Sequence, residues 1–318
     1  MARLPKMNSQ SYPRVDGFLD DSTLVSHTTK LPAETVKALI KAAIVKASTK
    51  SSREILSIPP DADARTVEAL YKKAGAKLFV YFRKYCGDPA ATAHQLAGKH
   101  FREVGKDAFR NCTLQKERMN SGWRYQFLVI DAARQTHRFV NVGDIGTSAG
   151  DFNAIIKFID ESLGAINLYV SVKNRTNTMG GADWPKAIEA LELAAIQDKN
   201  KTGPYCCVFG MAMDQGTRRI KNDQKTGRPH SVNTEVWLSD YFWPFFTNYS
   251  YEEIRKLFLD VLIETSATPD ELPTELDVPD AVLNAFGAAC QKANLLDELG
   301  NFNDPYALVT FFCGSKIH

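Results

Sequence analysis

From Pro32 onward, apolar residues recur at helical spacing: Val36, Leu39, Ile40, Ala43 and Ile44 fall on one side, while Lys37, Lys41 and Lys46 fall elsewhere. That pattern predicts an amphipathic helix. A second is expected after Pro59-Pro60, where Asp61 or Asp63 caps a helix running through Val67, Leu70 and Tyr71 toward Lys77. The chain therefore reads as helical to about Arg118, behind a polar, turn-rich arm that ends near Gly17.

The texture changes at Trp123. Tyr125 to Ile130 and Arg138 to Val142 are β-rich runs joined through Arg134-Gln135-Thr136, which predicts a hairpin. Phe152, Ile155, Ile156 and Ile159 then recur at helical spacing, so a helix is expected over 148–163, stopped by Gly164. Ile166 to Val172 reads as a strand, and Trp184 to about Asp198 as a helix with Trp184, Ile188, Leu191 and Ala195 on one face. Tyr205 to Met211 reads as another strand. The expected fold class is α/β (α+β), a mixed central sheet flanked by helices. Three regions are expected: an arm and helical region over 1–118, an α/β core over 119–215, and a basic, aromatic and helical region over 216–318.

Composition narrows the picture by exclusion. The 39 Lys and Arg residues nearly balance 37 Asp and Glu, for a net charge of +2, so a polyanion would have to be met by local clusters of cations. No run of apolar residues is long enough for a membrane span or a signal peptide. The six cysteines, Cys86, Cys112, Cys206, Cys207, Cys290 and Cys313, show no Cys-x-x-Cys pairing of a zinc site. Cys206 and Cys207 should point to opposite faces of one strand, which excludes a disulfide between them. A reducing cytoplasm fits this usage. The histidines show no ligand-like pairing, and no Gly-rich phosphate loop or nucleophile elbow occurs, which argues against a nucleotide cofactor.

The chemistry-bearing stretch is Ser171-Val172-Lys173-Asn174-Arg175, at the end of an apolar strand and before the loop Thr176 to Ala182. A lysine there can activate a water or offset charge on a phosphate if carboxylates nearby hold a metal ion. Asp151 lies 22 residues upstream, Asp144 lies in the preceding loop, and Glu189 and Glu192 lie one turn apart on the following helix. Each has a plain alternative. Lys173 is equally read as a solvated strand end, Asp151 as a first-turn acid, and the two glutamates as solvated helix charges.

Gly150-Asp151, then Val170-Ser171-Val172-Lys173-Asn174-Arg175, then a helical glutamate, resembles the variant PD-(D/E)XK site of type II restriction endonucleases, and within them the ApaLI-like group. The resemblance covers about Trp123 to Gln197. In that variant the acid two residues before the lysine is replaced, here by Ser171, and its role passes to a glutamate on the next helix. Gly150 stands where the family usually has proline, which leaves Asp144 open beside Asp151. Glu189 gives the shorter spacing, whereas Glu192 lies nearer the apolar stripe. The resemblance implies Mg²⁺-dependent cleavage of double-stranded DNA at a short sequence, as part of a restriction-modification system. Asp151 and Glu189 would hold the metal and Lys173 would position the water. It also implies a homodimer or homotetramer, because a palindromic site presents one surface twice.

Arg218, Arg219, Lys221, Lys225, Arg228 and His230 form a basic loop suited to phosphate contacts, with Arg175 a further candidate. The same loop also reads as a hairpin tip charged for solubility. Trp237, Tyr241, Phe242, Trp243, Phe245 and Phe246 follow as a dense aromatic run, read as core or as a subunit interface. Two other functions fit these features less fully: a DNA-binding protein without nuclease activity, and an α/β metabolic enzyme acting on a small anionic substrate.

Overall fold

The computed structural model describes residues 12–50, 56, 58, 59, 61–145, 147–201, 203–265 and 278–313. Its helices are α1 (Ala33–Lys50), α2 (Ala64–Lys84), α3 (Pro89–Leu96), α4 (Phe101–Gln135), α5 (Asp183–Gln197), α6 (Ser239–Thr247), α7 (Tyr251–Thr265), α8 (Asp280–Lys292) and α9 (Pro305–Phe312). Its strands are β1 (Arg14–Val15), β2 (Phe18–Leu19), β3 (Asn141–Gly143), β4 (Phe152–Lys157), β5 (Ala165–Lys173), β6 (Tyr205–Met211), β7 (Arg218–Arg219) and β8 (Thr234–Trp237). The chain is of the α+β class and divides into two compact units. One draws on residues within 1–50 and 120–266, the other on residues within 51–119 and 267–318. The regions expected over 1–118 and 216–318 are thus each divided between the two units, while 119–215 matches the middle of the sheet unit to within a residue.

The sheet unit is built on six strands in the order β3-β4-β5-β6-β8-β7. β3, β4 and β5 form an antiparallel meander, β5, β6 and β8 run parallel, and β7 closes the far edge antiparallel to β8. A parallel pair needs a crossover, and α5 supplies it between β5 and β6. Trp184, Ile188, Leu191 and Ala195 pack from α5 onto Tyr169, Cys207, Phe209 and Val236 on one sheet face. Phe152, Leu168, Val170, Cys206 and Val208 form the other face, beneath residues of α1, α6, α7 and the latter part of α4. Cys206 and Cys207 thus lie in different cores, as strand alternation predicts.

Two local expectations fail. Tyr125 to Ile130 is not a strand but part of α4, where Leu128, Val129, Ala132 and Ala133 are buried at helical spacing. A short continuous apolar run satisfies either period, and the helix already under way decided it. Residues 148–163 are not a helix either. They contain β4, in which Phe152, Ala154 and Ile156 are buried and alternate with less buried neighbours. Ala154 carries the period-two signal but is too small to weigh in a hydrophobic pattern.

The aromatic run lies inside the sheet unit. Trp237, Phe242, Trp243, Phe245 and Phe246 are buried, so the subunit interface suggested for them is instead core. Of the expected arm only residues from Tyr12 on are described, and there β1 and β2 make a tight hairpin turned through Asp16 and Gly17, both at positive φ.

The helical unit follows its sequence signals closely. Asp63, Asp88 and Asp304 cap α2, α3 and α9 with their side chains, and Pro follows at the first turn of α3 and α9. α2 and α8 approach so closely that a Cβ at Gly75 would collide with Ala285 and with the α8 backbone. Phe82, Phe286, Phe302 and Phe311 fill the core between the helices. Among the described residues, no helix is long and apolar enough to cross a membrane.

Candidate active site at the strand ends

The carboxyl ends of β5 and β6 open on the same rim as the start of β4, because β4 runs the other way. Such rims collect ligands in open sheets, since loops rather than ladder bonds follow there. Phe152 pairs with Val170, which sets Asp151 beside Ser171. The main chain of Asp151 donates to Val170 O at 2.8 Å, and its Oδ2 accepts the Val172 N–H at 2.6 Å. The side chain thereby replaces a main-chain acceptor at the point where the ladder ends. This fixes the carboxylate against the backbone between Ser171 and Lys173.

Ser171 and Lys173 alternate with Val170 and Val172, so both project on the face covered by α5. Ser171 is enclosed and Lys173 is half-buried. Gly150 is explained by packing. A Cβ there would meet Ile145 Cδ1 at 2.5 Å and Leu191 Cδ1 at 2.7 Å, so only glycine admits the loop beneath α5.

Glu192 does not join this group. Glu192 is buried and its Oε1 accepts from Thr234 Oγ1 at 2.6 Å. Thr234 belongs to β8, three strand spacings from β4, roughly 14 Å away. Ligands of one magnesium ion lie within about 2.1 Å of it, so Asp151 and Glu192 cannot share one. Burial raises the Glu192 pKa, while hydrogen bonds from Ser231 and Thr234 oppose the rise. Glu189, three residues earlier on the same flank of α5, is exposed.

Asp144 follows β3, whose Gly143 pairs with Asn153 of β4. It lines a cavity of 250 Å³ with Asn141, Asn153, Asn167 and Asp198, where the Tyr169 hydroxyl donates to Asp198 at 2.7 Å. Of the acids expected, Asp151 is fixed to the strand that ends in Lys173.

One acid on the rim escaped the sequence reading. Asp214, just beyond β6, accepts the Thr176 N–H at 2.6 Å through Oδ2, and its Oδ1 lies 4.0 Å from the Arg175 guanidinium. The loop after β5 is thus tied to the end of β6. No motif marks Asp214, and its position three residues beyond β6 became legible only through the β5–β6 register.

The basic run divides by strand alternation. Arg218 turns into the sheet unit, donating to Leu19 O at 2.5 Å and lying 3.9 Å from the Glu235 carboxylate and over the Tyr241 ring. It holds the N-terminal hairpin instead of facing solvent. Arg219 is exposed and pairs with Val236, on the α5 face. Lys225 and Arg228 stand on an exposed turn closed by Asp223, which accepts from Thr226 and Lys225, and His230 N–H donates to Lys221 O at 3.0 Å. Those hydrogen bonds, with the nearby His230, pull the Asp223 pKa down.

The residue set suits a hard divalent ion only in its leanest form. Magnesium accepts one or two carboxylates and completes its sphere with water and phosphate oxygens, and Asp151 offers one. Among the described residues, no three His, Cys, Asp or Glu side chains gather as a metal-holding group. No protein-family model matches the chain, and no curated protein matches it significantly.

Proposed function

We propose that the protein is a Mg²⁺-dependent, site-specific endonuclease of double-stranded DNA, resembling the PD-(D/E)XK restriction enzymes and acting in a restriction-modification system. The observation that carries the reading is the placement of Asp151, whose carboxylate is pinned to the Val172 amide one residue before Lys173. The two are far apart in the chain, and neighbouring antiparallel strands deliver them to one rim. A cytoplasmic, symmetric dimer or tetramer belongs to the same proposal, since palindromic DNA offers two equivalent half-sites.

In this reading Asp151 would hold the ion, and the Lys173 ammonium holds the attacking water or offsets charge growing on phosphate oxygens. Arg175, steadied by Asp214, contacts an adjacent phosphate. When bound, magnesium supplies Lewis-acid stabilisation of that charge. Ser171 lines the floor beside Asp151. Glu189 and Glu192 have no part in the chemistry.

The test is cleavage of plasmid DNA with magnesium and with chelator. Discrete fragments are expected only with magnesium, and Lys173→Ala should slow their appearance by at least about 100-fold, as loss of a transition-state charge partner does. Equal cutting by that variant removes Lys173 from the mechanism. The thin ligand set favours one rival, a DNA-binding protein that does not cut. It predicts salt-sensitive binding with intact plasmid in every divalent metal.

A further inference from the structure

A second concavity lies on the same sheet face, beyond the α5 amino-terminal turn. It is a cleft of 490 Å³, bounded by the loop after β5 on one side and by β7 and its following turn on the other. Asn177, Trp184, Arg219, Lys221, Asn222 and Gln224 line it. Its size falls within the range of small-ligand sites.

The cleft is built from sheet register rather than from a chance surface dip. Arg219 pairs with Val236, Val236 with Phe209, and Phe209 with Ser171, so one cross-strand row joins Arg219 to the floor of the candidate active site. Three strand spacings separate the ends of that row, roughly 14 Å. Along a duplex this corresponds to roughly four base-pair steps. Lys221 lies over the Trp184 ring, with Nζ 5.0 Å from its centroid, and so stands at the cleft wall instead of trailing into solvent. The Gln224 amide reaches across toward Gly181, where a Cβ would lie 3.9 Å from Nε2.

The lining combines two cations with three carboxamides. Cations without a neighbouring acid in the lining suit a phosphate, and a carboxamide presents a donor and an acceptor side by side. That pair matches the N6 donor and N7 acceptor of adenine, and does not match the two acceptors of guanine. We propose that this cleft seats one adenine nucleotide of the DNA, with its phosphate at Arg219 and Lys221 and its base edge at Asn177, Asn222 or Gln224. The identity of the polymer rests on the nuclease reading, while the selection of adenine rests on the cleft itself. Arg218, the immediate neighbour of Arg219, takes no part because alternation turns it to the other face.

The experiment is done in chelator, where cutting plays no role. Wild type, Arg219→Ala/Lys221→Ala and Asn177→Ala/Asn222→Ala/Gln224→Ala, each checked for an unchanged melting temperature, are titrated with a pool of randomised duplexes at several salt concentrations. Losing the two cations should weaken binding at least about tenfold and make the log affinity–log salt slope shallower by about 1 for the one phosphate they neutralise. Sequences selected from the pool by wild type should share an adenine position that those selected by the triple variant lack. An unchanged slope in the double variant, the same selected sequences from the triple variant, or no binding of the pool by wild type overturns the proposal. Wild type that selects an adenine-bearing site in chelator but leaves that site intact in magnesium overturns the nuclease reading alone.

Discussion

Two carboxylates of the same sheet meet opposite fates. Glu235, on β8, is wholly enclosed: Oε1 accepts the Leu19 N–H at 2.6 Å, Oε2 accepts Trp237 Nε1–H at 2.6 Å, and Arg218 stands 3.9 Å away. Asp151 stands half-buried where a strand begins, with Oδ2 anchored to the amide that precedes Lys173. The first acid fastens the N-terminal hairpin to the sheet. The second is set at a rim where a ligand can reach it. Burial, more than the presence of a charge, separates a structural acid from one available to a substrate.

The sharpest way to break this contrast is to neutralise each acid while measuring both stability and cutting. Asp151→Asn keeps an oxygen for the Val172 amide, so stability should move by no more than about 1 kcal/mol. Its cleavage rate should fall about 1,000-fold or more, or about 4 kcal/mol in transition-state terms. An Asp151→Asn protein that cuts normally would erase the distinction. Glu235→Ala should do the reverse. Removing a buried carboxylate that accepts two hydrogen bonds and faces Arg218 costs about 3 kcal/mol or more in denaturant unfolding, while the molecules that remain folded cut at the ordinary rate.

A smaller effect sharpens the same contrast through pH. Burial raises the Glu235 pKa above its ordinary 4.5, against opposing hydrogen bonds from Leu19 and Trp237 and the nearby Arg218. The folded state then holds the proton more tightly than the unfolded chain. Stability from this group is complete below about 4.5 and declines as pH rises through the raised value. Glu235→Gln should flatten that decline in a series of melts across the interval. A slope identical to wild type would show that the decline comes from other groups. Last, exposed Glu189→Gln should change cutting less than about twofold, and a large loss would return that residue to the metal site.

Much of the site's frame was legible because strong patterns carried it. The strand ending in Lys173 and the α5 stripe of Trp184, Ile188, Leu191 and Ala195 appear where the apolar periods place them. What escaped was information held between strands. Glu192 looked like a rim acid because it flanks the buried stripe, yet the pairing order puts its partner Thr234 on the far side of β6. Asp214 was invisible for the converse reason, being drawn to the rim by a neighbour distant in sequence. The adjacent arginines 218 and 219 differ only in parity, which requires a strand two residues long to be recognised in a loop. Phe152 to Lys157 misled because Ala154 adds little hydrophobic signal where a larger residue would have announced alternation.

The helical unit is made from two stretches of chain with the sheet unit's residues between them. As synthesis proceeds from the amino terminus, every strand and helix of the sheet unit emerges before α8 and α9 exist. Until then the groove that Gly75 opens on α2 has nothing to receive, and Leu78 and Phe82 remain exposed to water or to chaperones. Completion of the helical unit is thus a late event that waits for α8 and α9. Nascent chains stalled before them should mature one lobe and leave the other sticky.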